Sequence, residues 1–432
     1  MKTTLKLSFR RPLFALLPLL MGLSSASAAP RAGVAVAYTG QLVPGQPSTY
    51  ISDFFQICTN DAGECAFIAR SKLGSSSFSD YLLSNGGLGR TAAPVLIRQN
   101  NLVGKNLLCL QNSGVVHSVS NQTFYRGQST YDLGGSNYAL AEGSAAFVTA
   151  SVYQGGVQFS GLSYDLLNQF TYIRVEGANV DRTFCAAATG SGSAFVRGQE
   201  LFTNSRRTRV ARLSLNGVAV SPNGHSVISA GEPIFPTALV TKPGLYRMPN
   251  GEPFLKIAQA GDSFAGVTLA SSGAVFPQFA VEFSNAAVFL AQTSTPAAGT
   301  ALIRVGNTPP NTALLKTGDP APGITGATII KVHSFALDES GKCVIHASTG
   351  GPGLTPGEAL FRSTSGSAPV LFAQTGDTIT VGGQEKTITG FGLQSVLNKG
   401  VSVGPRVITA NGRVAAYVKF GNDRAAFVFD AQ

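Results

Sequence analysis

Three tripeptides, Leu245-Tyr246-Arg247, Leu302-Ile303-Arg304 and Leu360-Phe361-Arg362, each precede a Gly-Asp pair. The pairs, Gly261-Asp262, Gly318-Asp319 and Gly376-Asp377, follow their arginines at one fixed distance and recur at nearly equal intervals along the chain. A unit of that length cannot bury its own apolar faces, so a chain that repeats it must pack the copies against one another. A second signature lies upstream, clearest at Asn60-Asp61-Ala62-Gly63-Glu64-Cys65-Ala66-Phe67 and looser at 143–147, 341–345 and 412–417. Gly63 to Ser84, Gly143 to Tyr164 and Gly341 to Arg362 are equal intervals.

Each signature has a local physical reading. Asn-x-x-Gly between two apolar runs supplies hairpin chemistry, because Asn bonds its own backbone and Gly takes positive φ freely. In the unit from about 332 to 377, VHSFAL, CVIHA, ALFR and VLFAQ are four short runs rich in β-branched and aromatic residues, bounded by Gly, Ser or Pro. The unit therefore reads as a four-stranded meander, with the Gly-Asp segment carrying the chain from the fourth strand to the next meander. The corresponding fourth-strand turns fall at Gly40, Gln99, Gly177, Gly261, Gly318 and Gly376, and the intervals on either side of Gly177 are the long ones. Sheets that must bury both faces arrange radially, so the fold class is all-β, a β-propeller. Six blades are expected, with added hairpins near 105–135 and 181–212. The alternative is seven, if the span from Gln99 to Gly261 holds a third unit.

The chain ends carry the closure signal. The last unit runs through VITA, VAAYV and AAFVF and stops at its third strand, while GVAVAYTG at 33–40 matches a fourth strand and its turn. VAYTGQLVPG at 36–45 is a near-echo of LLKTGDPAPG at 314–323. Val34 to Tyr38 is thus expected to pair with Ala425 to Phe429 and complete the last blade.

Asn60-x-x-Gly63-x-x-Ala66-Phe67 resembles the bacterial choice-of-anchor tandem-repeat proteins containing NxxGxxAF, and Gly143-x-x-Ala146-Phe147 is similar to the second half of that motif. Asn285 stands where the pattern has Gly, and Asp338 where it has Asn. The resemblance implies secreted or surface proteins of unknown function, often with a C-terminal anchor, and brings no catalytic residues. No such anchor is visible in FGNDRAAFVFDAQ at 420–432.

Lys2, Lys6, Arg10 and Arg11, an apolar run from Leu13 to Leu23 and Ala26-Ser27-Ala28 read as a signal peptide over residues 1–28. Its removal takes away those four positive charges and lowers the formal net charge from +10 to +6 on a single propeller domain, 29–432. The expected address is periplasmic or extracellular, with no membrane span in the mature protein. Charged residues make up 12% of the chain, too few for amphipathic helices, whereas 50 glycines and 22 prolines suit strands joined by tight turns.

Chemical signals are sparse. Gly261-Asp262-Ser263 looks like an esterase nucleophile block, yet its sisters read Gly318-Asp319-Pro320 and Gly376-Asp377-Thr378, so the Asp is expected to accept turn N–H groups. Arg247, Arg304 and Arg362 are expected to fix strand edges or pair with turn carboxylates. His117, His225, His333 and His346 lack metal-ligand spacing, and neither metal nor cofactor is expected. Cys58 and Cys65 flank a hairpin turn and are expected to form a disulfide, Cys109 and Cys185 a second between the insertions, and Cys343 to stay a buried thiol. Arg206, Arg207, Arg209 and Arg212 read as a solvated strand edge rather than a nucleic-acid surface, because no aromatics interleave with them. The expectation is an exported, monomeric binding or scaffold module for an unknown ligand, a glycan or envelope component among the candidates. The alternative is a propeller hydrolase or lyase acting on carbohydrate or a lactone.

Overall fold

The computed structural model describes residues 30–99 and 256–431, apart from short stretches of which 394–406 is the longest. Between 100 and 255 it gives strands and, save at Pro243–Leu245, no side chains. The signal segment, Cys109, Cys185, Arg247, His117, His225 and the 206–212 arginines therefore lie outside the described residues.

The protein is an all-β propeller, with no helix among the described residues. Its first blade is the antiparallel meander Ile51–Thr59, Cys65–Leu73, Ser77–Ser84, Val95–Gln99. A late blade, Thr328–Leu337, Lys342–Gly351, Leu354–Thr364 and Val370–Gln374, coincides with the four runs expected there. Another meander, Leu215–Val220, Ser226–Ala230, Gly244–Met248 and Leu255–Gln259, precedes the Gly261 turn. In the region of the expected insertions, Leu107–Leu110, Val116–Ser120, Thr123–Arg126 and Ser129–Asp132 form a four-stranded sheet, and an eight-stranded ladder runs on from Val157–Tyr164.

The repeated turn is one hydrogen-bonded device. Gly318 N–H donates to Ile329 O at 2.8 Å and Ile329 N–H returns to Asp319 O at 2.8 Å, which ties the turn to the first strand of the next blade. Gly376 and Asp377 make the same pair of bonds with Ile388, and Gly40 and Gln41 with Ile51. Each Asp side chain accepts the N–H three residues before it: Gln259 to Asp262 at 2.8 Å, Lys316 to Asp319 at 3.0 Å, Gln374 to Asp377 at 3.0 Å. At the N-terminus Gln41 Oε1 takes that place, accepting from Tyr38 N–H at 3.2 Å. The glycines sit at φ between 84° and 93°, a region an L side chain enters only with strain.

The last blade closes as its sequence requires. Strand Gly33–Tyr38 pairs antiparallel with Asp423–Phe429 (Val34 opposite Val428, Tyr38 opposite Ala425), which pairs with Val414–Phe420 and then Gly390–Gly392. Gly33 is needed for this approach, because a Cβ there would collide with the Phe427 ring and the Val428 carbonyl. The first strand of this blade differs from the expected VITA: it is Gly390–Gly392, and Ile408 only bridges Val414. That strand is split by an insertion, as it is two blades earlier, where Val267–Leu269 and Gln278–Val281 both pair with Ala287–Thr295.

The core lies between blades. Leu245, Ile257 and Ala258 share a buried cluster with Phe289 and Ile303, Val288 and Leu302 share one with Ile329 and Phe335, and Phe372 shares one with Phe391 and Phe429. Phe54 joins the first and closing blades through Phe67 and Tyr417, at centroid distances of 5.8 and 5.7 Å. One polar clasp crosses a seam: Gln278 Nε2 donates to Phe335 O at 2.6 Å and Phe335 N–H to Gln278 Oε1 at 3.1 Å.

The expected Cys58–Cys65 disulfide does not form. In the ladder Cys58 stands opposite Ala66 and Cys65 opposite Thr59, a one-residue offset that puts the two thiols on opposite faces of the sheet. Cys65 faces the seam with the closing blade, where burial pushes its thiol up to about 12. Cys343 is buried too, its thiol donating to Val344 O at 3.8 Å.

Deleting residues 29–38 removes buried Val36 and Ala37 and uncovers the Asp423–Phe429 edge. The truncated protein should lose at least about 3 kcal/mol and self-associate, as read by thermal melting and light scattering against a variant lacking only Ala431 and Gln432. Equal stability and a monomer would show that the strand is dispensable.

Candidate functional site

In two blades the first strand shifts register against the second by bulges at matching repeat positions. Ser52 and Phe55 are the extra residues in the first blade, Ile330 and His333 in the Thr328–Gln374 blade. Phe55 and His333 stand at the same distance before their turn glycines, Gly63 and Gly341. A bulge re-aims a side chain out of the alternation, and both residues are exposed. At the same distance after those glycines come Arg70 and Ser348, and directly across the ladder from them Asp80 and Glu358. The same three places, on three adjacent strands, thus carry Phe-Arg-Asp in one blade and His-Ser-Glu in another. The closing blade lies between them and has Lys419 at the second place, opposite Arg424. By the meander topology these residues lie toward the end of the blades that carries the Gly-Asp turns, the Gly-Asp face of the propeller.

In the His-Ser-Glu blade, His346 Nε2 lies 3.1 Å from Glu358 Oε2, which also accepts Phe391 N–H of the closing blade at 2.8 Å. The rings of His333 and His346 are 4.9 Å apart, and His333 Nε2 hydrogen-bonds Ser348 Oγ. Partial burial raises the Glu358 carboxyl, but the hydrogen bonds from His346 and Phe391 N–H and the charges of His346 and Lys419 outweigh it and hold the group at about 2. Burial, and then the neighbouring charges of His346 and Lys331, lower the His333 imidazole. Serine and carboxylate engage different imidazoles, so these groups do not form the relay a serine nucleophile needs, in which one imidazole bridges both. Among the described residues no three His, Cys, Asp or Glu side chains are grouped to hold a metal ion.

In the first blade, Arg70 Nε and Nη2 grip Asp80 Oδ1 and Oδ2 at 2.7 and 3.1 Å, and the guanidinium lies 4.2 Å from the Phe55 ring centroid and 5.1 Å from that of Phe78. Phe78 is 54% exposed. Asp53 pairs with Arg424 across the seam to the closing blade, and Thr39 Oγ1 donates to Asp423 at 2.9 Å.

The arginines of the repeated tripeptide lie elsewhere. Arg304 makes a bidentate pair with buried Glu282, 2.7 Å on both arms, and Arg362 lies 5.8 Å over the Phe372 ring. Both fix strands, as their repetition suggests. The His333–His346 contact was hidden in the sequence: the two stand at unequal distances from the Gly341 turn, and the hairpin brings them together only because a bulge intervenes.

The model of a family described as "Family of unknown function (DUF7453)" matches residues 181–417. No curated protein matches the chain. Among solved structures, the chain is similar to the β-propeller domain of the Trilobed protease from Pyrococcus furiosus, at 8% identity and a TM-score of 0.44, covering 88% of this chain and 97% of that one. It is also similar to an oligogalacturonate lyase in complex with manganese, at 10% identity and a TM-score of 0.45, covering 94% and 99%. A third is the Cps50 (Swd1) β-propeller domain of Myceliophteria thermophila, at 10% identity and a TM-score of 0.37, covering 87% and 96%.

A carboxyl held low in the fold stabilises it above its unfolded pKa and loses that effect as it protonates. Glu358→Gln should therefore destabilise the protein at neutral pH, with the difference from wild type shrinking as the pH falls from 4.5 toward 2. Urea unfolding of both proteins across that window measures it, and a pH-independent difference would show that the charge of Glu358 is not what holds the seam.

Proposed function

We propose, for a chain that belongs to the family of unknown function DUF7453, that it is an exported, monomeric binding propeller whose Gly-Asp face takes the ligand. One observation carries this reading. At three equivalent positions two blades hold unlike side chains, Phe55-Arg70-Asp80 and His333-Ser348-Glu358, joined by hydrogen bonds and a cation–π contact, and all but buried Asp80 are at least partly open to solvent. A turn or core position repeats its residue because the backbone demands it, whereas a ligand-contacting position varies while its scaffold stays constant. The basic start and apolar run of residues 1–28 support export, as does the resemblance carried by Asn60-x-x-Gly63-x-x-Ala66-Phe67.

A hydrolase or lyase is the second reading, favoured by the His346–Glu358 pair. The binding reading accounts better for a carboxylate whose Oε2 is already shared by His346 and a backbone N–H.

Mature protein screened on a glycan array and against chromogenic glycoside, polysaccharide-lyase and lactone substrates should capture a ligand without turning it over. Turnover abolished by His346→Ala would overturn the binding reading in favour of the enzyme.

A further inference from the structure

We propose that Phe55, Arg70 and Phe78 form a stacking platform for a saccharide, an assignment of ligand class that rests on the binding reading above. Three adjacent strands supply the parts: Phe55 from the bulge of the first, Arg70 from the second, Phe78 and Asp80 from the third. The two-armed Asp80 fork uses Nε and Nη2 of Arg70 and fixes the plane of the guanidinium between two exposed phenyl rings. Much of the ordering cost of a binding site is thereby met before the ligand arrives.

The ligand class follows from what this surface offers. Exposed phenyl rings, 37% for Phe55 and 54% for Phe78, present apolar area to solvent. Beside them Arg70 pairs with Asp80 and Arg424 with Asp53, while the exposed Lys72 stands opposite Phe78 in the ladder and adds a positive charge at the rim. Flat apolar rings beside the remaining N–H donors of a fixed guanidinium match a molecule that has a C–H face and a rim of hydroxyls, which is the chemistry of a pyranose. Packing does not require a phenyl ring at position 55, since the equivalent bulge carries His333.

The test is titration calorimetry of the mature protein with cellulose-, xylan-, mannan- and chitin-type hexasaccharides and, as an anionic comparison, an alginate hexasaccharide. At least one of the five hexasaccharides should bind. Phe55→Ala and Phe78→Ala should each weaken it about tenfold with melting temperature unchanged, and Phe78→Tyr should retain it. Saccharide binding unaffected by the double alanine variant would overturn the platform while leaving the binding reading intact. Binding of none of the five by a protein that captures another ligand on the array would also overturn the saccharide assignment only. Capture of nothing together with turnover of a screened substrate would remove both.

Discussion

The pairing of Gly33–Tyr38 with Asp423–Phe429 is the contact on which the rest of this fold depends. The described blades bury apolar residues against their neighbours, and a ring gives every blade two neighbours only if its ends meet. The junction is correspondingly dense. Asp430 N–H donates to Ala32 O and Thr39 N–H to Arg424 O, both at 2.9 Å, which extends the ladder past either end of the strand. Arg31 reaches Asp377 at 2.7 Å, the capping Asp of the last Gly-Asp turn, and Arg90 of the first blade holds Asp430 at 2.5 Å. The apolar seam behind these contacts runs from Phe67 through Phe54 and Tyr417 on one side and through Phe429, Phe372 and Phe391 on the other. The strand pairing, the Arg31 and Arg90 ion pairs and the Phe54–Tyr417 contact join residues most of a chain length apart, so their loop-closure cost is met only once the blades between them are in place.

The repeated turn is the device that makes such a ring programmable. It satisfies its own backbone with two main-chain bonds to the next first strand and one side-chain cap, so it needs only Gly followed by a residue with an acceptor side chain. Gln41 performs the capping task of Asp, which is why the N-terminal copy was recognisable without the Asp.

That economy explains what was legible in the sequence. Turn residues are local: Gly318-Asp319 or Asn60-x-x-Gly63 states its conformation in a few positions, and strand order, direction and closure follow. Parity is not local. Cys58 and Cys65 flank the turn in sequence, yet the register pairs Cys58 with Ala66 and so divides the thiols between two faces. Bulges are no more visible: Phe55 and His333 read as ordinary strand residues, and only the ladder shows them displaced out of the alternation and brought beside Arg70 and His346. The same blindness misplaced the first strand of the closing blade, because the insertion after Gly392 separates Gly390–Gly392 from the VITA segment that resembles a strand on its own.

A scaffold held by turns and seams leaves the bulge and second-strand positions free to vary, and those are the positions that differ between the first and late blades. Whether the scaffold is a closed ring is most directly read by native-state hydrogen exchange of the Gly33–Tyr38 amides beside those of Val414–Phe420 and Asp423–Phe429. Closure predicts that the bonded amides of all three strands share one high opening free energy and exchange through a single cooperative event. Fast exchange of Gly33–Tyr38, with the other two strands still protected, would contradict it.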